Sequence, residues 1–429
     1  MSRFPRPDTG TVVMGAAAVA RILGGALLGT ALTVYVGRTG SPFAVSLLAT
    51  AFSIGMIIFA PIWGALADVT GRRRAILVGT GLGATAAVLL LLAVPTFEGA
   101  IQVGPVAVPG AAVPVGVRAL YAVFTAGFMP LMLTVASERG GAGGRGQAVG
   151  SLNSFVAAGA GGGQFAAGIL LGALAPSELY LVVAAVSLVA TGCVAALDTG
   201  DYDPDPEADR LRTEVRRRLL PPAGERSHLT TNGLGWLYVG LTARQSTVSG
   251  VGALMPVYIV QTLALPEAWM GILLAFNPVS QTALMYYLGG LVDEAGRKPL
   301  VVWGMAGSAA FGLVAAAAVA ATGRLAVAAV VAVAYVLLAV AFSAMWTGAV
   351  AFVGDVAPED RESELMGLAS TSRAMGGVIG PLFVGGVATF FGYPVAFVAA
   401  SALALGAAAL VAAAVTESRP AVAATPADD

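Results

Sequence analysis

Gly64-Ala-Leu66-Ala-Asp68-Val-Thr-Gly71-Arg72-Arg73-Arg74 has a counterpart 225 residues later, Gly289-Gly-Leu291-Val-Asp293-Glu-Ala-Gly296-Arg297-Lys298. The spacing of Gly, Leu, Asp, Gly and basic residues is the same in both. Each copy closes one long apolar run and opens the next. Two further matches keep the same order. Ala20-Arg21, Gly29 and Val34-Tyr35 pair with Ala243-Arg244, Gly252 and Val257-Tyr258. Gly150, Gly159, Gly163 and Gly168 pair with Gly367, Gly376, Gly380 and Gly385. Three ordered matches make the two halves of the chain copies of one unit.

Composition says what that unit is made of. Of 429 residues, 57% are hydrophobic and 11% charged, and the mean hydropathy is +0.84. A soluble domain carries about 25% charge, so a water-soluble surface of this size is excluded. A single cysteine, Cys193, excludes a disulfide framework. What remains is an all-α, polytopic membrane protein. A span takes about 20 apolar residues. The apolar runs predict helices near 11–37, 43–66, 75–95, 113–136, 147–174 and 179–197, then 232–259, 269–290, 300–322, 325–354, 365–390 and 395–415. The first is long and leads into another span, so it reads as a helix of the bundle and not as a signal peptide. Residues 1–197 form one six-helix bundle and 231–429 the other. The segment 198–230 between them is acidic, then Arg-rich and amphipathic, and reads as a solvated linker with a short surface helix.

Basic residues set the expected orientation. With the N-terminus inside, 17 of the 23 Lys and Arg fall on the cytoplasmic side. Only Arg38 and Arg324 fall outside. Both termini are then cytoplasmic. Lys298 is the one lysine, a usage typical of a GC-rich prokaryotic genome, so the expected location is a prokaryotic cytoplasmic membrane. The net charge of −1 gives no reason to expect nucleic acid as a partner.

The repeated Gly-x-Leu-x-Asp-x-x-Gly-Arg-Arg/Lys element resembles the signature loop of the major facilitator superfamily. The resemblance spans the chain: twelve helices, two halves and a long central loop. It implies a secondary transporter whose two bundles rock around a site near the bilayer midplane. The partners implied are a small-molecule substrate and the lipid bilayer, with protons as a coupling ion in one reading, and the protein is expected to be monomeric. Asp68 and Asp293 sit where a carboxylate caps a helix N-terminus in the other bundle, and Gly71 and Gly296 allow the tight turn. Gly64 and Gly289 open the loops. Arg72–Arg74 and Arg297–Lys298 are placed to pair with acids or with anionic headgroups. Glu138 and Asp355 occupy matched helix ends, and Arg145 and Arg361 follow them. Together these residues read as a cytoplasmic latch.

The charges inside the spans are Arg21, Arg118, Arg244 and Arg373, and no acidic residue accompanies them. Ionisable residues at that depth are usually functional. Arg21 and Arg244 share one depth through the repeat. By resemblance, helices 1 and 7 line a central cavity, so the two guanidiniums are expected to face each other and bind an anion. The organic-phosphate antiporters of the superfamily resemble this in placing an arginine on each of these helices, although their other motifs are not matched. Gln245, Asn277 and Gln281 are the polar neighbours expected nearby, and Asn277 and Gln281 are further candidates for substrate contact. Arg118 with Gly127 resembles the arginine motif linked to proton coupling in drug exporters, and its counterpart in the second half is Tyr335. Those exporters usually carry Gly-Pro in helix 5. Here Gly163-Gln164 stands in its place, and Gly380-Pro381 occurs in helix 11. The glycines read most simply as close-packing sites. Trp236, Trp269, Tyr258 and Tyr393 fit an aromatic belt.

No phosphate-binding loop of the Gly-Lys-Ser/Thr type exists, and His228 is the one histidine. No enzymatic site, metal or cofactor is expected. The leading expectation is transport of a small anion. The alternatives are a proton-coupled multidrug exporter and, outside transport, a membrane sensor or lipid-handling protein.

Overall fold

A computed structural model describes residues 9–93, 100–103, 106–202, 211–219, 226–288, 296–358 and 362–418. The first half opens with α1 (Thr9–Thr39), α2 (Pro42–Thr70) and α3 (Arg73–Leu89), the last extended by a 3-10 turn to Ala93. A short antiparallel hairpin follows, β1 (Ala100–Val103) with β2 (Val106–Pro109). Then come α4 (Ala112–Thr125), α5 (Phe128–Ala173) and α6 (Pro176–Ala196). The linker holds α7 (Leu211–Leu219). The second half contains α8 (Leu234–Val257), which ends in a wider turn over Tyr258–Thr262, and α9 (Glu267–Leu288), α10 (Arg297–Ala317), α11 (Arg324–Val356), α12 (Glu362–Phe391) and α13 (Tyr393–Ala414).

Local chemistry sets the ends of these helices. The Ser41 hydroxyl accepts from the Ala44 N–H at 3.2 Å, with Pro42 in the first turn of α2, where its missing donor costs nothing. Gly71 ends α2 in the left-handed region at φ 65° and returns its N–H to the Ala67 carbonyl. The fourth expected span, Ala112–Gly141, runs through α4 into the first part of α5, with a turn at Ala126–Gly127 whose backbone stays right-handed. A Cβ on Gly127 would lie 2.6 Å from Cβ of Trp63, whose indole N–H donates to the Val123 carbonyl at 2.6 Å. The ring thus occupies the space a longer helix side chain would need. The unusually long α5 is itself two helices meeting at Gly141, which has φ 58°.

Ten of the described helices are long and apolar enough to cross a membrane. The other two expected spans form as α8 and α9, of 24 and 22 residues. Their polar clusters, Arg244 to Ser249 and Asn277 to Gln281, lower their hydropathy.

The chain packs as two compact units, one comprising Met1–Pro222 with Pro266–Ala275 and the other Ala223–Leu265 with Phe276–Asp429. Helix pairing repeats between them. In the first, α1 packs on α5 and α6, and α3 on α6; in the second, α8 packs on α12 and α13, and α10 on α13. The paired glycines explain the closest of these seams. A Cβ on Gly159 would lie 2.7 Å from the Val19 carbonyl oxygen, and one on Gly163 would overlap that of Leu23. On α12, a Cβ on Gly376 would lie 2.6 Å from the Thr242 carbonyl oxygen, and one on Gly380 would overlap that of Ser246. Gly150 and Gly367 of the same repeat meet nothing within 4 Å. Met14, Leu77, Phe128, Met132 and Leu152 fill the interior of the first unit; Leu237, Met305, Met345, Phe352 and Val411 fill the second.

One placement differs from the aromatic-belt expectation. Tyr258 is fully buried, donates its hydroxyl to the Ala315 carbonyl at 2.8 Å, and packs against Tyr393 and Phe397. Trp236 is 52% exposed, in keeping with a ring at a membrane surface.

Candidate functional site

In the first unit Arg21 is 5% exposed. Its Nη1 donates to Ser187 Oγ at 3.1 Å, and the same oxygen accepts from Thr85 at 2.8 Å. The guanidinium lies 5.7 Å from the centre of the Phe128 ring, and its buried Nε has no partner. Arg118 of α4 lies against the Phe52 ring at 4.2 Å and the Tyr121 ring at 5.5 Å, and makes a long bond of 3.4 Å to the Gly25 carbonyl. Gly29 gives it room, since a Cβ there would stand 2.8 Å from Arg118 Nη2. The repeat partner Gly252 meets nothing within 4 Å, and Tyr335 replaces the arginine in that half. Gly29→Ala is therefore expected to displace the guanidinium and reduce substrate affinity about tenfold, or ~1.4 kcal/mol. Gly252→Ala is the control. Equal affinities of the two variants, measured by titration of purified protein, would remove Arg118 from the site.

In the second unit Arg244 is 1% exposed. Its Nε donates to Ser308 Oγ at 2.7 Å and its Nη1 to Gln245 at 3.4 Å, while the buried Nη2 has no partner. Its guanidinium carbon lies 5.6 Å from the Phe342 ring centre. Arg373 of α12 lies 5.2 Å from the same ring and 4.4 Å from that of Trp346. Within its own unit, each of Arg21 and Arg244 meets a hydroxyl and an aromatic ring. Of the expected neighbours of Arg244, only Gln245 touches it. Asn277 and Gln281 bond each other at 2.8 Å, one turn apart on α9. Ser308, Phe342 and Trp346 were not read from the sequence. The only available signal was the i, i+4 spacing of the two aromatics on α11.

The signature loops gather charge at one end of each unit. Arg73 donates to Glu138 at 2.6 Å and Arg297 to Asp355 at 3.0 Å, so each of the matched acids takes an arginine, although the two arginines stand one position apart in the repeat. Carboxylates that follow the last helix of each half cap the helix after each loop. Asp201 accepts from the Arg74 N–H at 3.1 Å; Glu417 accepts from the N–H groups of Arg297 and Lys298 at 3.2 and 3.0 Å. Such N–H groups and the helix dipole favour negative charge. The Asp68 carboxylate, expected to cap a helix of the other bundle, accepts from Arg218 of the linker helix α7 at 2.6 Å. Burial removes water from Arg218, but its bonds to Asp68 and Glu214 outweigh this and hold its pKa above the ordinary arginine value. Gly64 lies under that contact, a Cβ there standing 2.9 Å from Arg218 Nη1. A Cβ on Gly71 would overlap the carbonyl of Tyr202, whose hydroxyl donates to the Asp68 carbonyl at 2.7 Å. Arg72 is exposed, its N–H on the Thr70 hydroxyl at 3.4 Å. Gly296, at φ 83°, starts α10. Arg145 lines a cavity of about 560 Å³ with Glu138 and Gly141. Gly289, Asp293 and Arg361 lie outside the described residues.

The sequence profile of the Major Facilitator Superfamily matches residues 14–279 and again 237–428. The chain belongs to this superfamily. Its members are transporters, and the family points away from an enzyme. No curated protein matches the chain by sequence. Solved structures share the fold. The POT family transporter PepTSo superposes with a TM-score of 0.72 at 12% identity, covering 95% of this chain and 98% of its own. The nucleoside transporter NupG gives 0.70 at 10%, covering 95% and 99%. The human organic anion transporter MFSD10 gives 0.59 at 18%, covering 94% and 98%. The protein is thus a multi-pass membrane transporter with a small-molecule substrate.

The arrangement inside each unit suits one kind of chemistry. A guanidinium stays protonated and offers five donors in a planar fork that fits carboxylate or phosphate. Among the described residues, none of Arg21, Arg118, Arg244 and Arg373 pairs with a carboxylate. The aromatic faces beside them are only partial substitutes, worth about 0.5–2 kcal/mol each.

Proposed function

We propose that this protein is a secondary transporter of a small organic anion, recognised by Arg21, Arg118 and Arg244, with Asn277 and Gln281 as further polar contacts. One observation carries the reading. Arginines are buried in both apolar units, N–H groups of Arg21 and Arg244 lack partners, and no described carboxylate balances them. Holding each charge at such depth costs at least about 2.5 kcal/mol. An incoming anion supplies the missing charge and acceptor atoms.

The balance of basic residues supports signature loops and both termini on the cytoplasmic side. In that orientation the Arg73–Glu138 and Arg297–Asp355 pairs stiffen the loops that form a cytoplasmic latch. Counterflow in proteoliposomes tests the reading. Vesicles loaded with a substrate anion should take up its labelled form, whereas hydrophobic cations should drive no uptake. Exchange of cationic drugs with no anion exchanged would favour the proton-coupled exporter. Absence of any exchange would favour a sensor or lipid-handling role.

A further inference from the structure

We infer that the second unit holds a binding site for a doubly charged oxyanion, formed by Arg244 and Arg373 against the rings of Phe342 and Trp346. This rests on the anion reading above and adds the valence of the ligand and a second arginine.

Gly376 and Gly380 bring α12 into backbone contact with α8, where a Cβ would meet the carbonyls of Thr242 and Ser246. Two hydroxyls fasten this seam. Thr242 donates to the Ser372 carbonyl at 3.1 Å and Ser249 to that of Gly376 at 2.9 Å. Arg373 lies one turn before Gly376 and Arg244 two residues after Thr242. The seam therefore sets both guanidiniums at one level, each within 6 Å of the Phe342 ring centre.

The rings fix how the charges are presented. Phe342 and Trp346 stack nearly parallel, 7° apart with centres 6.5 Å apart. A guanidinium beside an aromatic face keeps its in-plane N–H groups available for an acceptor. Arg244 Nη2 and Arg373 Nε are both buried without a partner. Ser308 holds Arg244 by Nε alone and donates its own proton to the Gly304 carbonyl at 2.8 Å, so it adds no charge. Two like charges thus share one wall with no described acid beside them. A monoanion leaves one of them uncompensated; a dicarboxylate or a phosphate monoester balances both. Arg373 is only partly buried while Arg244 is sealed, so the ligand meets Arg373 first and Arg244 at the base of the site.

Succinate and phenyl phosphate as dianions, and butyrate as a monoanion, are the probes. Binding to purified protein at pH 7.5 is read by calorimetry and by tryptophan fluorescence, with Trp346→Phe identifying the Trp346 signal. The wild type should bind at least one dianion at least tenfold more tightly than butyrate. Arg373→Gln should reduce that preference at least tenfold. Arg373→Lys, which keeps the charge, should retain most of the preference. Both variants are checked for a monodisperse peak on gel filtration. An unchanged preference in Arg373→Gln overturns this inference and leaves the anion reading standing. So does a wild type that binds all three probes equally. A wild type that binds none of the three, while proteoliposomes exchange no anion of any valence, overturns both.

Discussion

Gly380→Leu is expected to yield no monodisperse protein in detergent. A side chain at this position would overlap the Ser246 carbonyl oxygen and lie 2.6 Å from Ser249 Oγ. The obstacle is backbone of α8, so no rotamer change relieves it. On separation from α12 the Thr242 and Ser249 hydroxyls keep their acceptors one turn back, the Tyr238 and Gln245 carbonyls at 3.0 and 2.7 Å. The cost is therefore mainly overpacking, typically about 1–3 kcal/mol and more where the obstacle is backbone. That is a large share of a total stability of about 5–15 kcal/mol. Gly367→Leu is the matched control, because a Cβ there meets nothing within 4 Å. Gel filtration and thermal melting of both variants provide the check. If Gly380→Leu elutes and melts like Gly367→Leu, the close seam is wrong.

The second large effect is opposite in sign for stability and activity. Arg244→Met should lower transport at least about 100-fold, equivalent to ~2.8 kcal/mol of lost recognition, and should raise the melting temperature. Methionine fills similar apolar space without a charge. The lost bond to Ser308 leaves that hydroxyl donating to the Gly304 carbonyl, so the change orphans no donor there. Removing the unpaired charge recovers part of the ~2.5 kcal/mol cost of burying it. A gain of about 1 kcal/mol raises the melting temperature by roughly 2–4 °C in a unit of this size. Stability is expected to rise because binding sites hold groups that the fold alone does not satisfy. A variant that both melts lower and transports normally would make Arg244 a packing residue.

These two substitutions also mark what the sequence discloses. Gly376 and Gly380 were legible, since the repeat aligns them with Gly159 and Gly163 and small residues seat close helices. The same pattern did not separate them from Gly150 and Gly367, because contact depends on which face of a helix meets a neighbour. The placement of Arg21 and Arg244 within apolar runs was legible from residue counting. The side chains they meet were not. Helix rotation turns each side chain toward hydroxyls and rings supplied from distant positions, Ser187 and Phe128 for one, Ser308 and Phe342 for the other. Tyr258 failed for the same reason, its position near a helix end suggesting a lipid interface when its ring packs on Phe397. The repeated loops were legible as clusters of acids and bases at matched helix ends; which arginine meets which acid was not, since Arg73 and not Arg72 reaches Glu138. The docking of α7 on Asp68 was not, because an amphipathic Arg-rich helix suits both a lipid surface and an acidic protein end.

Thermal melting of the wild type and Arg244→Met, each with and without an organic anion panel at saturating concentration, tests the central claim most directly. A ligand that binds only the folded state stabilises it by RT ln(1 + [L]/Kd), about 2.7 kcal/mol at 100 Kd. The account predicts that at least one carboxylate or phosphate ester raises the melting temperature of the wild type by several degrees and leaves Arg244→Met unmoved. It is contradicted if no anion shifts the wild type, or if the same anion stabilises both proteins equally.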